Sequence, residues 1–162
     1  MLPLEAALEL VEGRPTRILD QGTGTGVGAR WLAERYPDAA VTGADLSPEM
    51  IAGARGLLPA ELEGRVEFAV ADSADPPFDP ASFDLITQVS VPAFYAGTAR
   101  VLAPGGHLVI VSSLGPGTPM HTPPGLLRRG FAREGLEWVG DGAAGTGTYY
   151  VLRKPLPGTR GV

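Results

Sequence analysis

A glycine-rich run followed by a carboxylate carries the clearest chemical signal in the chain. Glycines stand at alternate positions from Gly22 to Gly26 directly after an apolar segment, and Asp45 ends the next apolar segment. Glycine has no Cβ, so a ligand can approach the backbone closely, and amides at the start of the following helix can meet a polar or anionic group. A carboxylate at the end of the second strand can accept hydrogen bonds from ribose hydroxyls. This order of residues predicts a site for a nucleoside cofactor.

The elements that must position these residues alternate between strand and helix. Strands are predicted at about 17–19, 39–44, 65–70, 83–87, 107–112, 136–139 and 148–152, and helices at about 4–13, 27–36, 47–58, 92–102 and 123–134. Ser47 and Pro48 are typical of a helix cap and first turn. The alternation predicts an α/β fold with one doubly wound, mostly parallel, seven-stranded sheet, an antiparallel last strand and helices on both faces. Residues 1–154 are expected to form one domain and residues 155–162 a tail.

Composition excludes several classes of site. The 162 residues contain no cysteine and only two histidines, so thiolate chemistry is absent and no metal site is expected. No apolar run reaches the length of a membrane span, and we expect a cytoplasmic protein that does not contact a membrane. The net charge of -5 disfavours a nucleic-acid partner, although Arg128, Arg129 and Arg133 form a small basic cluster. The sequence leaves open whether the chain forms a homodimer.

Asp20 helps to choose between two kinds of nucleoside cofactor. The dinucleotide pattern is also satisfied, by Gly24, Gly26 and Ala29. However, a carboxylate two residues before the first glycine would repel a diphosphate, whereas it suits the amino group of a zwitterionic ligand. The residues therefore favour a cofactor with a methionine moiety over a dinucleotide.

At this point the chain resembles the class I methyltransferases that use S-adenosylmethionine, over nearly its whole length. The matching segments are 20–26, Asp45, 70–73, 83–86 and 100–106. The resemblance implies S-adenosylmethionine as cofactor and methyl transfer to a small-molecule acceptor. It also implies a set of cofactor-binding residues, namely Asp20, Gly22, Thr23, Gly24, Gly26, Asp45, Leu46, Asp72, Ser73 and Gln88.

The chain departs from the family pattern within the first motif and after the fourth strand. Gln21 replaces an apolar residue within the first motif, and the segment after the fourth strand is short. We expect the site to be closed by residues 88–97, by residues 113–123 or by another subunit. Asp75-Pro76-Pro77-Phe78 spells a motif of amino-directed methyltransferases, but it precedes the fourth strand rather than following it. We interpret it as a rigid connection beside the adenine pocket.

The sequence assigns no catalytic residue, and methyl transfer can proceed by positioning alone. His121 is a candidate general base for a hydroxyl acceptor, and Tyr95 a candidate for lining the acceptor site. The alternatives are an ordinary loop histidine and a core aromatic, while His107 is expected to be structural. The acceptor atom, whether O, N, C or S, stays open.

Three other functions share parts of this pattern. They are an NAD(P)-dependent oxidoreductase, a non-catalytic subunit that binds the cofactor, and a methyltransferase that acts on RNA or protein through the arginine cluster.

Overall fold

The computed structural model of the protein describes residues 1–158. Its helices and strands follow one another in the predicted alternation. In chain order they are α1 (Leu2–Leu8), β1 (Arg17–Gln21), α2 (Val27–Arg35), β2 (Ala40–Asp45), α3 (Pro48–Gly56), β3 (Val66–Val70), β4 (Phe83–Val89), α4 (Ala96–Val101), β5 (Leu102–Ser112), α5 (Pro124–Arg133), β6 (Glu137–Ala144) and β7 (Gly147–Arg153). Short 3-10 turns lie at Ala60–Leu62 and Gly115–Gly117.

The seven strands form one sheet with the order β3-β2-β1-β4-β5-β7-β6. Strands β1 to β5 pair in parallel, whereas β7 runs antiparallel to both β5 and β6. The predicted fold class is confirmed. Because the chain winds outward from β1 in one direction and from β4 in the other, the order reverses between these two strands. Ligands of open α/β sheets bind at such a reversal, beyond the carboxyl ends of the strands.

Two hydrophobic cores cover the two faces of the sheet. On one face, α1, α2 and α3 bury side chains such as Leu4, Leu32 and Ile51 against the strands. On the other, α4 and α5 bury residues that include Val101 and Phe131. The predicted cap of α3 is also present, since the Ser47 hydroxyl accepts a hydrogen bond from the amide of Met50 at 3.3 Å. This cap fixes the start of α3 directly after the end of β2.

The helix predicted at 92–102 is wrong at its N-terminal end, whereas its C-terminal end agrees to within one residue. Residues 90–95 are not helical, and α4 covers only Ala96–Val101. The non-helical segment lets Val91 pack against Gly22 and Tyr95 pack against Phe131 of α5. Those tertiary contacts override the local helical pattern. The segment after β4 therefore lies against the glycine-rich run instead of continuing a helix.

Other boundaries differ less. α1 ends at Leu8 rather than near Gly13. The turn that follows has hydrogen bonds between residues three apart, and in one of them the amide of Val11 donates to the carbonyl of Leu8. β5 begins at Leu102 and includes the Pro-Gly-Gly segment as an irregularity in its pairing with β4. β6 and β7 extend toward each other and leave only residues 145–146 between them. Part of the expected tail, residues 159–162, lies outside the described residues.

Within residues 1–158, no helix is long and apolar enough to cross a membrane.

The core beneath α5 can be tested with two residues of the same helix. Phe131 is fully buried, whereas Leu126 is 49% exposed. We expect Phe131→Ala to lower the free energy of unfolding by about 3–5 kcal/mol, because it removes a buried ring and leaves a cavity. Leu126→Ala should change it by less than about 1 kcal/mol. Urea denaturation measures both, and equal losses would contradict the assigned orientation of α5.

Candidate functional site

The glycine-rich run from Gly22 to Gly26, hereafter the glycine loop, sits where the sheet order reverses. It follows β1, which lies between β2 and β4. Gly22, Gly24 and Gly26 all have positive φ angles, at 73°, 57° and 82°. Residues with a Cβ rarely adopt this left-handed backbone conformation, so the conformation of the loop explains why glycines stand at these alternate positions. The loop is anchored to β2 because the amides of Gly22 and Thr23 donate to the carbonyl of Ala44 at 2.8 and 2.9 Å.

Of the three alternate glycines, only Gly24 faces open space. A Cβ at Gly22 would overlap the side chain of Val91, and a Cβ at Gly26 would lie 2.6 Å from the ring of Phe68. A Cβ at Gly24 would meet nothing within 4 Å. The loop is therefore packed against the protein at its two ends and free at its centre. A ligand could meet the backbone most closely at Gly24.

The carboxylate of Asp45 lies beside this open position. One oxygen accepts a hydrogen bond from the Gly24 amide at 2.8 Å, and the other accepts one from the Ser47 amide at 3.0 Å. Each carboxylate oxygen has a second lone pair, so the half-buried group keeps accepting capacity for hydroxyl donors. Gly24 and Asp45, predicted from the sequence as neighbours in a site, are thus brought together.

Asp20 lies beneath the glycine loop and is only 4% exposed. Its two oxygens accept hydrogen bonds from the hydroxyls of Thr23 and Thr87, each at 2.7 Å. Burial raises the pKa of Asp20, and the two hydroxyl donors partly oppose this shift. In this arrangement Asp20 and Thr23 shape the loop from below. A contact of Asp20 with a cofactor amino group stays a prediction.

The ends of β2 and β3 supply the remaining predicted cofactor residues. Leu46 and Val70 are exposed large apolar residues at the ends of these paired strands. Asp72 is exposed and accepts a hydrogen bond from the Ala74 amide at 2.9 Å, while Ser73 is buried. These residues share the carboxyl edge of the sheet with the glycine loop, in an order that suits a ligand extended along that edge.

Gln88 belongs to a buried polar group that the sequence did not reveal as a unit. Its amide nitrogen donates to Gln21 Oε1 at 2.8 Å and to the Thr98 hydroxyl at 3.1 Å, and the Thr98 hydroxyl donates to the same Gln21 oxygen at 2.9 Å. Gln88 has no exposed surface, so its side chain is not accessible to a cofactor in this structure. Gln21, noted as a departure from the family pattern, was the only sequence signal for this group.

The motif at residues 75–78 is held against α4. The guanidinium of Arg100 donates to the carbonyl of Phe78 at 2.7 Å and also to that of Pro76. Phe78 packs edge-on against Phe83, with ring centroids 5.2 Å apart. These contacts agree with a rigid connection between β3 and β4.

The two candidate catalytic residues have different surroundings. Tyr95 packs on Phe131 with ring centroids 4.6 Å apart and against Gly130, which is the environment of a core aromatic. His121 lies after β5 at the carboxyl edge, and its Nδ1 is 3.3 Å from the hydroxyl of Ser112. His107 is buried in β5 between Leu85 of β4 and Arg153 of β7, and burial lowers its pKa, as expected for a structural residue.

The structure has cavities both at the carboxyl edge of the sheet and elsewhere. One cavity, of about 520 Å³, lies between α1 and the turn before β2, at the opposite edge from the glycine loop. A cleft of about 200 Å³ does open at the carboxyl edge, lined by the start of α1 and by Val89, Val111 and Ser113. We place the candidate site by the glycine loop and its carboxylate, because volume alone carries no chemistry. Within residues 1–158, no three His, Asp or Glu side chains converge as metal ligands would.

The buried carboxyl of Asp20 generates a pH prediction. Because its pKa is higher in the folded than in the unfolded state, the proton-bound form stabilises the fold, and this stability is lost as pH rises through the folded pKa. Asp20→Asn stays neutral at every pH. We therefore expect the unfolding free energy of Asp20→Asn minus that of the wild type to increase between pH 4 and pH 8. Urea denaturation across this range measures the difference, and a constant value would contradict the burial effect.

Comparison with known proteins agrees with this geometry. The chain is 42% identical over 113 residues to a demethylmenaquinone methyltransferase of Thermus thermophilus, covering 62% of this chain and 49% of that protein. It is 33% identical over 165 residues to the enzyme of the same name from Deinococcus radiodurans, covering 94% and 67%. The chain thus spans about half to two thirds of the length of these relatives.

A solved structure and a family model complete the comparison. The S-adenosylmethionine-dependent methyltransferase of Aquifex aeolicus superposes with a TM-score of 0.76 at 16% identity, covering 94% of this chain and 89% of that one. At this identity the likeness shows the fold. A family model described as a methyltransferase domain matches residues 18–106, from β1 to the start of β5. The glycine loop, Asp45 and the paired strands that carry them therefore identify the chain as a member of the class I S-adenosylmethionine-dependent methyltransferases.

Proposed function

We propose that the chain transfers the methyl group of S-adenosylmethionine to a small-molecule acceptor. The observation that carries this proposal is the pairing of the open backbone at Gly24 with the carboxylate of Asp45, 2.8 Å from its amide. A glycine cradle and an acceptor of hydroxyl hydrogen bonds fit an amino-acid-linked nucleoside. The two relatives, whose names specify a quinone, support a small-molecule acceptor.

Each predicted cofactor residue has a place in this proposal. Gly24 admits the ligand to the backbone, and Asp45 accepts hydrogen bonds from the ribose. Leu46 and Val70 offer apolar contacts to the faces of the adenine ring, with Asp72 and Ser73 near its amine. Gly22, Gly26, Thr23 and Asp20 hold the shape of the loop, while Gln88 acts from the buried group with Gln21 and Thr98. We place Gln88 in support of the site rather than in contact with the ligand.

The chain's contribution to the reaction is chiefly positional. S-adenosylmethionine, when bound, supplies an electrophilic methyl group on a sulfonium, and the transfer is a direct displacement. The glycine loop and Asp45 orient the donor, and the segments after β4 and β5 bound the space for an acceptor. Fixing the two reactants in line supplies roughly 7–11 kcal/mol of barrier reduction without an acid or base.

The alternative functions fare differently. Family membership sets aside the nicotinamide oxidoreductase. An RNA or protein acceptor would rely on the arginine cluster, but the guanidinium of Arg128 lies 4.4 Å from the centre of the Trp138 ring, and the net charge is -5. A small-molecule acceptor remains the better interpretation of these charges.

The non-catalytic alternative is tested directly. Radiolabelled S-adenosylmethionine is incubated with the protein and with separated small-molecule and RNA fractions of cell extract. Label entering a small molecule is the expected result. Cofactor binding without transfer to any fraction would favour the non-catalytic subunit, and transfer to RNA would favour the other acceptor class.

Removing the carboxylate of Asp45 should weaken cofactor binding. We expect Asp45→Ala to reduce the affinity for S-adenosylhomocysteine by about 1.5–3 kcal/mol, the range for hydrogen bonds that involve a charged group. Calorimetric titration measures the affinity. The control is Asp38→Ala, which removes an exposed carboxylate before β2, at the opposite edge of the sheet. An affinity for Asp45→Ala equal to that of the control would refute the ribose role.

A pair of glycine variants separates ligand contact from backbone strain. Gly24 and Gly64 both have positive φ, at 57° and 85°, and a Cβ at either would meet no protein atom within 4 Å. Each alanine variant should lose about 1–2 kcal/mol of unfolding free energy because of the left-handed backbone. Only Gly24→Ala should also lose at least about tenfold in affinity for S-adenosylhomocysteine, since its methyl group would enter the ligand's space. Equal affinities of the two variants would contradict the proposed cradle.

A further inference from the structure

His121 is held at the edge of the sheet with one ring nitrogen free. Its Nδ1 is 3.3 Å from the hydroxyl of Ser112, the buried last residue of β5, and its amide donates to the carbonyl of Thr118 at 2.9 Å. The other ring nitrogen, Nε2, has no hydrogen-bond partner among residues 1–158. When Nδ1 donates its proton to Ser112, Nε2 keeps a lone pair that can receive a proton.

A chain of contacts connects this histidine to the glycine loop. Val91 packs on Gly22, and its neighbour Ser90 donates to the hydroxyl of Ser113 at 2.9 Å. Ser113 directly follows Ser112, the partner of His121. The amide of Ser90 also donates to the carbonyl of Val111 at 2.7 Å. The segments after β4 and β5 are thereby joined beside the loop.

Ser90 has a strained backbone at this junction. Its φ of 52° is in the left-handed region, which a residue with a side chain adopts at a cost of about 1–3 kcal/mol. The bonds to Val111 and Ser113 hold it there. The two hydrogen bonds therefore fix the junction between the segments after β4 and β5.

The segments after β4 and β5, between which an acceptor would lie, contain no charged residue. Residues 88–97 and 113–123 include no Asp, Glu, Lys or Arg. The second segment also exposes large apolar side chains, with Leu114 62% and Met120 49% exposed. An acceptor that lies between the two segments meets apolar surface, serine hydroxyls and one imidazole. Neither segment itself supplies an ionic partner for a charged acceptor.

We infer that the acceptor is an uncharged, apolar molecule bearing a hydroxyl group, and that His121 Nε2 removes the proton of that hydroxyl. This inference rests on the proposed function and specifies its acceptor. The hydroxyl oxygen forms a bond to the methyl carbon, and the carbon–sulfur bond breaks with its electron pair passing to sulfur. The hydroxyl proton passes to His121 and then to solvent. The products are a methyl ether and S-adenosylhomocysteine, and Ser112 is a positioning residue.

The presence of only two histidines makes a direct test practical. Protein labelled with ¹⁵N in histidine is saturated with S-adenosylhomocysteine and titrated with 2-naphthol, and the buried His107 serves as internal reference. We expect saturable binding that shifts the His121 Nε2 resonance and leaves that of His107 unchanged. The ether 2-methoxynaphthalene, which has no hydroxyl proton, should bind at least about fivefold more weakly.

Three results would overturn the inference. They are the absence of saturable 2-naphthol binding, a His121 resonance that does not move, and equal affinities of the phenol and its ether. Binding of S-adenosylhomocysteine is measured first by calorimetry. If it fails, the proposed function fails; if it succeeds and the naphthol result is negative, only the present inference falls.

Turnover tests the proton transfer itself. With S-adenosylmethionine, the wild type should convert 2-naphthol to 2-methoxynaphthalene, detected by mass spectrometry. His121→Gln should be slower by about 100-fold or more, the usual contribution of a general base, with an unchanged affinity for S-adenosylhomocysteine. Ser112→Ala should lower kcat more than it raises KM. The control Thr122→Val alters the next residue, whose side chain makes no hydrogen bond within residues 1–158. No ether from the wild type, or a His121→Gln rate within threefold of it, would refute the assignment.

Discussion

The site depends on the hydrogen bonds that the carboxylate of Asp45 accepts. Asp45 joins three parts of the fold, because it ends β2 and accepts amide hydrogen bonds from Gly24 of the glycine loop and from Ser47 at the start of α3. Hydrogen bonds to an ionised acceptor are stronger than those between neutral groups, so the loop is fixed relative to both elements. The parallel pairing of Gln21 with Ala44 already brings the two strand ends level. The carboxylate thus completes an alignment that the sheet begins.

The end of β1 is held from both faces of the sheet. Asp20 points to the face of α2 and binds Thr87, while the next residue, Gln21, points to the face of α4 and binds Gln88. Adjacent residues of a strand alternate in this way, so one dipeptide of β1 is joined to one dipeptide of β4 by two side-chain contacts in addition to the backbone pairing. The point where the strand order reverses is consequently among the most constrained places in the protein. A site built there rests on a rigid base.

Much of this arrangement follows from local patterns in the sequence. The seven strands, the antiparallel end of the sheet and the neighbourhood of Gly24 and Asp45 were predicted, because alternate glycines and strand-ending acids act through local geometry. The N-terminal end of the helix at 92–102 was wrong, because Val91 and Tyr95 pack against residues far along the chain. The burial of Gln88 beneath α4 was missed for the same reason. Its partners Gln21 and Thr98 are 67 and 10 residues away, and no local pattern brings these three together.

The hydrogen bond between Thr87 and Asp20 constrains the order in which the protein folds. These partners are 67 residues apart, and the intervening chain must be closed into a loop before they meet. Closing such a loop carries an entropic penalty that only the completed contacts repay, so pairing of β1 with β4 belongs to the late, long-range part of folding. A nascent chain that has emerged only as far as β3 would carry the entire glycine motif but would lack the strand whose Thr87 hydroxyl donates to the buried Asp20. The motif becomes a site only when the middle of the sheet closes.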